Sequence, residues 1–234
     1  MILQILLGEI IMNHPKNLLF IGNSATYVND LPATLVSLCE NQGIHITQKQ
    51  VVKGGCFLKS YAENPIVYEE IAKGYDAVFF QENGSAMTTE EEREKSLEGC
   101  KKLVDAARKA GSQCWFYVRP PYGNNLAKYN SFDQCILFDK HFTSAARQWN
   151  VECAYINRAF AAAIKHRNIS LWGPDNAHTG AQGAYLAVCT FYASLFGRTA
   201  TELNTAYGIS QEDAAVLQQI ADKVALEGII PWED

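Results

Sequence analysis

The strongest constraint on the fold is a series of short, unbroken apolar runs spaced along the chain. They are Asn17-Leu-Leu-Phe-Ile21 ended by Gly22, Ala77-Val-Phe-Phe80, Cys114-Trp-Phe-Tyr-Val118 ended by Arg119-Pro120-Pro121, and Val151 to Ile156. Runs without polar alternation suit strands covered on both faces, as in parallel sheets. Ile44 to Val52 reads as a further strand, ending at Gly54-Gly55. Helical signals fall between and after the strands. Asp30 and Pro32 open a helix with Leu35, Leu38 and Cys39 on one face, and Gly43 closes it. Thr89-x-x-Glu92 is a capping box for a helix through Leu97, Cys100, Leu103, Val104 and Ala107, stopping at Gly111. Ser131-x-x-Gln134 caps a helix to about Trp149, and a short Ala-rich helix follows the fifth strand. Thr179-x-x-Gln182 caps a long buried helix ending at Gly197, and Ser210 to about Glu227 is a last amphipathic helix. This order predicts an α/β fold, a three-layer α/β/α sandwich around a central five-stranded parallel sheet.

Composition narrows the function classes. With 48% hydrophobic and 19% charged residues the chain is globular, not disordered. Twenty-five acidic against twenty basic residues give a net charge of −5, with no basic block beyond Lys165-His166-Arg167, so no nucleic-acid partner is expected. The seven cysteines include no C-x-x-C pair and sit mostly in apolar runs, which fits reduced thiols and a cytoplasmic setting. Residues 1–16 read as an N-terminal extension to a single domain over 17–234; the apolar start lacks the basic flank and cleavage site of a signal peptide. The longest uncharged stretch, Thr179 to Gly197, holds Gln182, glycines and hydroxyls, so it reads as a core helix and no membrane span is expected.

Right-handed crossovers place the C-terminal end of every parallel strand on one edge, where such sheets bind ligands. Gly22-Asn23-Ser24 follows the first strand, and a serine in a tight strand-to-helix turn exposes its hydroxyl near helix N-terminal amides; the same residue would serve equally as a loop serine or a cap. Gly54-Gly55 follows the second strand, where bare backbone lets an N–H approach a ligand. Gln81-Glu82-Asn83-Gly84-Ser85 follows the third: Asn83 either donates its amide to an oxyanion or makes an ordinary Asn-Gly turn. Near the C-terminus stands Trp172-Gly-Pro-Asp175-Asn-Ala-His178, and a spacing of three lets the carboxylate reach the imidazole Nδ1. None of His14, His45, His141 or His166 has a partner at ligand spacing, so neither a metal nor another cofactor is expected.

Ser, Gly, Asn and then Asp-x-x-His, in that order on one sheet edge, resembles the SGNH (GDSL-like) hydrolase superfamily over residues 17 to about 197. The chain looks closest to a branch whose first block reads Ile-Gly-Asn-Ser and whose third reads like Gln-Glu-Gln-Ser. The resemblance implies a flavodoxin-like SGNH hydrolase fold, with Ser24 as nucleophile, His178 as general base and Asp175 as its orienting partner. It also implies an oxyanion hole from the Ser24 and Gly55 N–H groups and the Asn83 amide. Three departures stand out: Gly-Asn-Ser replaces Gly-Asp-Ser, Gln81-Glu-Asn83-Gly84 replaces Gly-x-Asn-Asp, and Gly54 competes with Gly55 for the second block.

The implied reaction is hydrolysis of a carboxylic ester through an acyl-enzyme. No long apolar lid is visible, which favours a small acyl group such as acetate on a sugar over the lipase and thioesterase chemistries of the superfamily. Cys56 is a rival nucleophile, and Glu82 with Glu90 to Glu92 a rival pair of glycosidase carboxylates, although the latter group reads better as a helix first turn. A different class of reading is a non-catalytic carbohydrate- or ligand-binding module on the same scaffold. Retention of Ser24, Asp175 and His178 together argues against it, while Trp172, Tyr122 and Tyr27 would line the cleft in either case.

Overall fold

A computed structural model describes residues 14–166 and 168–233. Five parallel strands form one sheet in the order β2-β1-β3-β4-β5: β1 Asn17–Gly22, β2 Thr47–Val52, β3 Ala77–Phe80, β4 Gln113–Val118 and β5 Glu152–Tyr155. The chain leaves β1 for one side of the sheet and returns to β3 on the other, so strand order reverses between β1 and β3. The expected sandwich is present, and its strand order is the flavodoxin-like one.

Alternation along each strand divides the core in two. Leu18 and Phe20, Ala77 and Phe79, Trp115 and Tyr117, and Ala154 face one layer, built from α2 (Leu31–Asn41), α7 (Ile156–Ala163), α8 (Ala181–Phe196) and α9 (Gln211–Ala225). Leu19 and Ile21, Val78 and Phe80, and Phe116 and Val118 face the other. That layer holds α3 (Leu58–Tyr61), α4 (Pro65–Ile71), α5 (Glu90–Lys109) and α6 (Ser131–Trp149). Both faces of the central strands are therefore covered, which is why their sequences are continuously apolar.

One aromatic cluster orients α8. Phe20 and Phe79 stack at 4.7 Å across β1 and β3, and Phe191 of α8 sets its edge against Phe79 at 5.4 Å and Tyr117 at 4.8 Å. Edge-to-face contacts of this kind add about 0.5–1.5 kcal/mol each beyond burial. They fix the helix under the middle of the sheet, with its N-terminus at the C-terminal edge of the strands.

Several local expectations need correction. The β2 strand begins at Thr47, not Ile44, and two short helices, α3 and α4, fill the β2–β3 connection, where no helix is expected from sequence. Thr89 does cap α5, accepting from the Glu92 N–H at 3.3 Å. The caps assigned to Ser131 and Thr179 are instead Asn130 and Gly180. Gln134 is drawn away from capping because its side chain is buried and ties down the loop after β4, bonding the Tyr122 N–H and the Asn124 and Tyr129 carbonyls. Of the expected extension, residues 1–13 lie outside the described residues. Residues 14–16 lead into β1, where the Lys16 and Asn17 N–H groups both donate to Asp76. Among the described residues no helix is long and apolar enough to cross a membrane.

Candidate active site

The strand order decides which loops meet. Because β1 lies between β2 and β3, the segments after these three strands come together at one place on the sheet edge. Register aligns them: Gly22 pairs with Val52, and Ile21 with Phe80.

Immediately after β1, Asn23 caps the short helix α1 (Ser24–Tyr27), its side-chain oxygen accepting from the Ala25 N–H at 3.1 Å. The cap puts Ser24 at the first helical position, where a backbone N–H has no intrahelical acceptor. Buried Gln81 braces this turn from β3: its Oε1 accepts from the Asn23 N–H at 2.8 Å and from the Thr26 hydroxyl at 3.0 Å. The arrangement requires Gly22, since a Cβ there would lie 2.5 Å from Thr26 Oγ1 and 2.7 Å from Gln81 Oε1. Gln81 as a brace is legible only once β1 and β3 are known to be neighbours.

After β2 the backbone makes a four-residue turn closed by the Cys56 N–H to the Lys53 carbonyl at 3.1 Å, with Gly55 at φ +68°. Only glycine takes that conformation without strain. The Asn83 amide nitrogen donates to the Gly55 carbonyl at 2.9 Å, while its oxygen accepts from the Ser85 N–H at 3.0 Å. Asn83 thus makes the local Asn-Gly turn contact and also reaches across to the second loop. The Ser24, Gly54 and Gly55 N–H groups have no acceptor among the described residues.

His178 enters from the far end of the chain, on a tight loop ahead of α8. Trp172 and Thr179 form an antiparallel bridge at the base of this loop, and the Gly173 N–H donates to the His178 carbonyl at 2.9 Å. Neighbours hold it in place. The Asn29 side chain donates to the Thr179 carbonyl at 2.6 Å, the Trp172 indole N–H to Pro121 at 2.9 Å, and Asn124 and Asn176 pair through side chain and backbone. None of these four contacts has a local sequence signal; each joins residues 51 or more positions apart.

The result is a continuous chain: His178 Nε2 is 2.8 Å from Ser24 Oγ, and His178 Nδ1 is 2.6 Å from Asp175 Oδ2. Asp175 Oδ1 accepts from the Ala177 and His178 N–H groups, each at 3.0 Å. The imidazole hydrogen bond and these two backbone donors hold the Asp175 carboxyl far below the usual carboxylate range. An ionised carboxylate only accepts, so the proton belongs on Nδ1 and Nε2 offers its lone pair to the serine hydroxyl.

The other candidates fall elsewhere. Cys56 is half-buried, with Sγ 3.7 Å from the Phe57 carbonyl and no imidazole bonded to it. Glu82 is buried and wholly engaged by hydrogen-bond donors, while Glu91 and Glu92 form ion pairs with lysines on the outer face of α5 and α3. Tyr27 stands beside the site, its hydroxyl 3.1 Å from where a Gly54 Cβ would be. Tyr122 lies under the Arg119 guanidinium at 3.9 Å. No group of three metal-ligating side chains occurs among the described residues.

No family model and no curated protein sequence matches the chain. Solved structures do. A DUF4886 family protein from Bacteroides uniformis superimposes with a TM-score of 0.79 at 18% identity, over 91% of this chain and 95% of its own. A candidate SGNH hydrolase from Slackia heliotrinireducens gives 0.61 at 23% identity, over 74% and 95%. Axe2, an acetylxylan esterase from Geobacillus stearothermophilus, gives 0.61 at 15% identity, over 77% and 94%. The chain therefore has the SGNH-hydrolase fold, and esterases are among the proteins that share it.

Proposed function

We propose that this protein is a serine esterase that removes a short acyl group, acetyl in the first instance, from a carbohydrate. The observation that carries the reading is the Ser24–His178–Asp175 chain, with links of 2.8 and 2.6 Å, at the sheet's topological switch point. In this scheme His178 Nε2 takes the Ser24 proton as Oγ attacks the ester carbonyl. The tetrahedral oxyanion is held by the Ser24 and Gly55 N–H groups and the Asn83 amide hydrogen not used by Gly55. The imidazolium, stabilised by Asp175, then protonates the leaving alcohol. Water, deprotonated by the same imidazole, releases the acid and restores the serine. Gly55 takes this role over Gly54 because it is the residue that Asn83 touches.

Exposure supports a small acyl group. The His178 and Asp175 side chains are 33% and 52% exposed, so both lie open to solvent with no covering lid over them among the described residues. Tyr27 is the one large exposed hydrophobic residue near it among the described residues. The acetylxylan esterase activity named for Axe2 points the same way.

Hydrolysis of para-nitrophenyl acetate and octanoate by wild type, Ser24→Ala and His178→Ala tests the proposal. Acetate turnover lost in both variants, with the octanoate poorer, is the expected result. A wild type no faster than its variants, and unlabelled by a fluorophosphonate, would favour a non-catalytic binding module.

A further inference from the structure

Glu82 is a carboxylate with no exposed surface, and it has no place in the acyl-transfer chemistry. Its Oε1 accepts from the Leu58 N–H at 3.0 Å and from the Asn83 N–H at 2.6 Å, and its Oε2 accepts from the Ser96 hydroxyl at 2.7 Å. These donors come from three separate places. Leu58 ends the loop that carries Gly55, Asn83 belongs to the loop after β3, and Ser96 lies on α5. An isolated buried carboxylate costs several kcal/mol, so a site that keeps one must satisfy it fully, and charge-assisted bonds of this length do so.

We infer that Glu82 is a positioning residue that clamps the second and third loops together behind the proposed oxyanion hole. The clamp has two sides. On the buried side, one oxygen binds the Leu58 and Asn83 N–H groups at once. On the cleft side, Asn83 Nδ2 binds the Gly55 carbonyl at 2.9 Å. With the Asn83 backbone held by Glu82 and its side chain held by Gly55 and Ser85, both orientation and distance between the two donors are set. Burial raises the Glu82 pKa, while the Ser96, Asn83 and Leu58 donors, with Lys59 further off, favour the charged form. The geometry needs reach more than charge. A glutamine oxygen has two lone pairs for the same two N–H groups, and its amide nitrogen can donate to Ser96 Oγ.

The inference rests on the esterase reading, so its test runs beside Ser24→Ala on para-nitrophenyl acetate. Glu82→Gln keeps the reach without the charge and is expected to hold kcat within about threefold. Glu82→Asp keeps the charge but shortens the reach, and Glu82→Met keeps the length but removes the acceptors. Both are expected to lower kcat by roughly a hundredfold with KM little changed, the usual scale for displacing a catalytic group by about an ångström. Should Glu82→Met not fold, the Gln–Asp comparison still decides. Glu82→Asp as fast as wild type, or Glu82→Gln as slow as Glu82→Asp, overturns the clamp. So does a lowered melting temperature with unchanged kcat in Glu82→Met. If Ser24→Ala is inactive while these results appear, the clamp alone has failed; if Ser24→Ala is as active as wild type, the esterase reading falls and the clamp with it.

Discussion

Replacing Asn83 separates its structural contacts from the oxyanion role proposed for it. In Asn83→Ala two contacts are lost, the cap on the Ser85 N–H at 3.0 Å and the bond to the Gly55 carbonyl at 2.9 Å. A lost cap costs about 1 kcal/mol, and a lost hydrogen bond about another, so stability should fall by about 2 kcal/mol. That is a fraction of the roughly 5–15 kcal/mol typical of a folded domain, and the variant should remain folded at 25 °C. Losing one preorganised oxyanion donor should cost about 3–4 kcal/mol in the transition state, or roughly 10²–10³ in kcat. Asn83→Asp sharpens the comparison. One oxygen can still cap Ser85, but the other would face the Gly55 carbonyl with no hydrogen between them. It should lose as much activity as alanine while retaining the cap. Steady-state kinetics on para-nitrophenyl acetate, with a thermal melt on the same samples, measures both effects. A folded Asn83→Ala with kcat within threefold of wild type would refute the assignment of Asn83 to the oxyanion hole.

Asp175→Asn should lower kcat by roughly 10²–10⁴, because an amide nitrogen facing Nδ1 favours the tautomer that turns a hydrogen toward Ser24. With its pKa held far below the usual range, Asp175 keeps its interactions on acidification until the pH falls through that depressed value. The acid limb of kcat/KM should therefore carry no proton taken up by Asp175; a two-proton limb would contradict it. Gly22→Ala should destabilise the fold by about 1–3 kcal/mol by driving a methyl into Thr26 and Gln81, and a melt indistinguishable from wild type would show that the turn can yield. Away from the site, buried His141 has an Nε2 without a partner among the described residues, and desolvation with the nearby Arg93 charge lowers its pKa from 6.5 to about 4. The unfolded chain then binds a proton that the folded chain refuses, so stability is full above pH 6.5 and falls on acidification toward about 4, by about 3 kcal/mol in all. Chemical denaturation across that range should show the slope in wild type and lose most of it in His141→Gln.

The layered α/β architecture was legible because it depends on local pattern. Apolar runs such as Ala77–Phe80 are too short for a buried helix and suit strands covered on both faces, and helices such as α5 carry their own start and stop signals. The placing of Ser24, Gly55 and Asn83 was equally legible, since a short motif after a strand stays at that strand's end. Even the Asp175–His178 pair could be read, because three residues in a turn bring the two side chains within reach.

Local pattern failed where a residue's bonds were made with distant partners. Gln134 looks like a helix cap in sequence, yet tertiary burial sends its amide to the loop after β4. Thr179 resembles a cap, but Asn29 takes its carbonyl and hydroxyl, from 150 residues away. Gln81, which braces the Ser24 turn, and Glu82, which joins two loops, carry no signal of their own. Their roles exist only because β1 lies between β2 and β3, and a parallel sheet's strand order is set by how crossovers pack on its two faces. Sequence thus determined which chemical groups stand at the sheet edge. Packing of α8 under the sheet, together with the Asn29–Thr179 and Trp172–Pro121 bonds, brings His178, 154 residues from Ser24, within 2.8 Å of its hydroxyl.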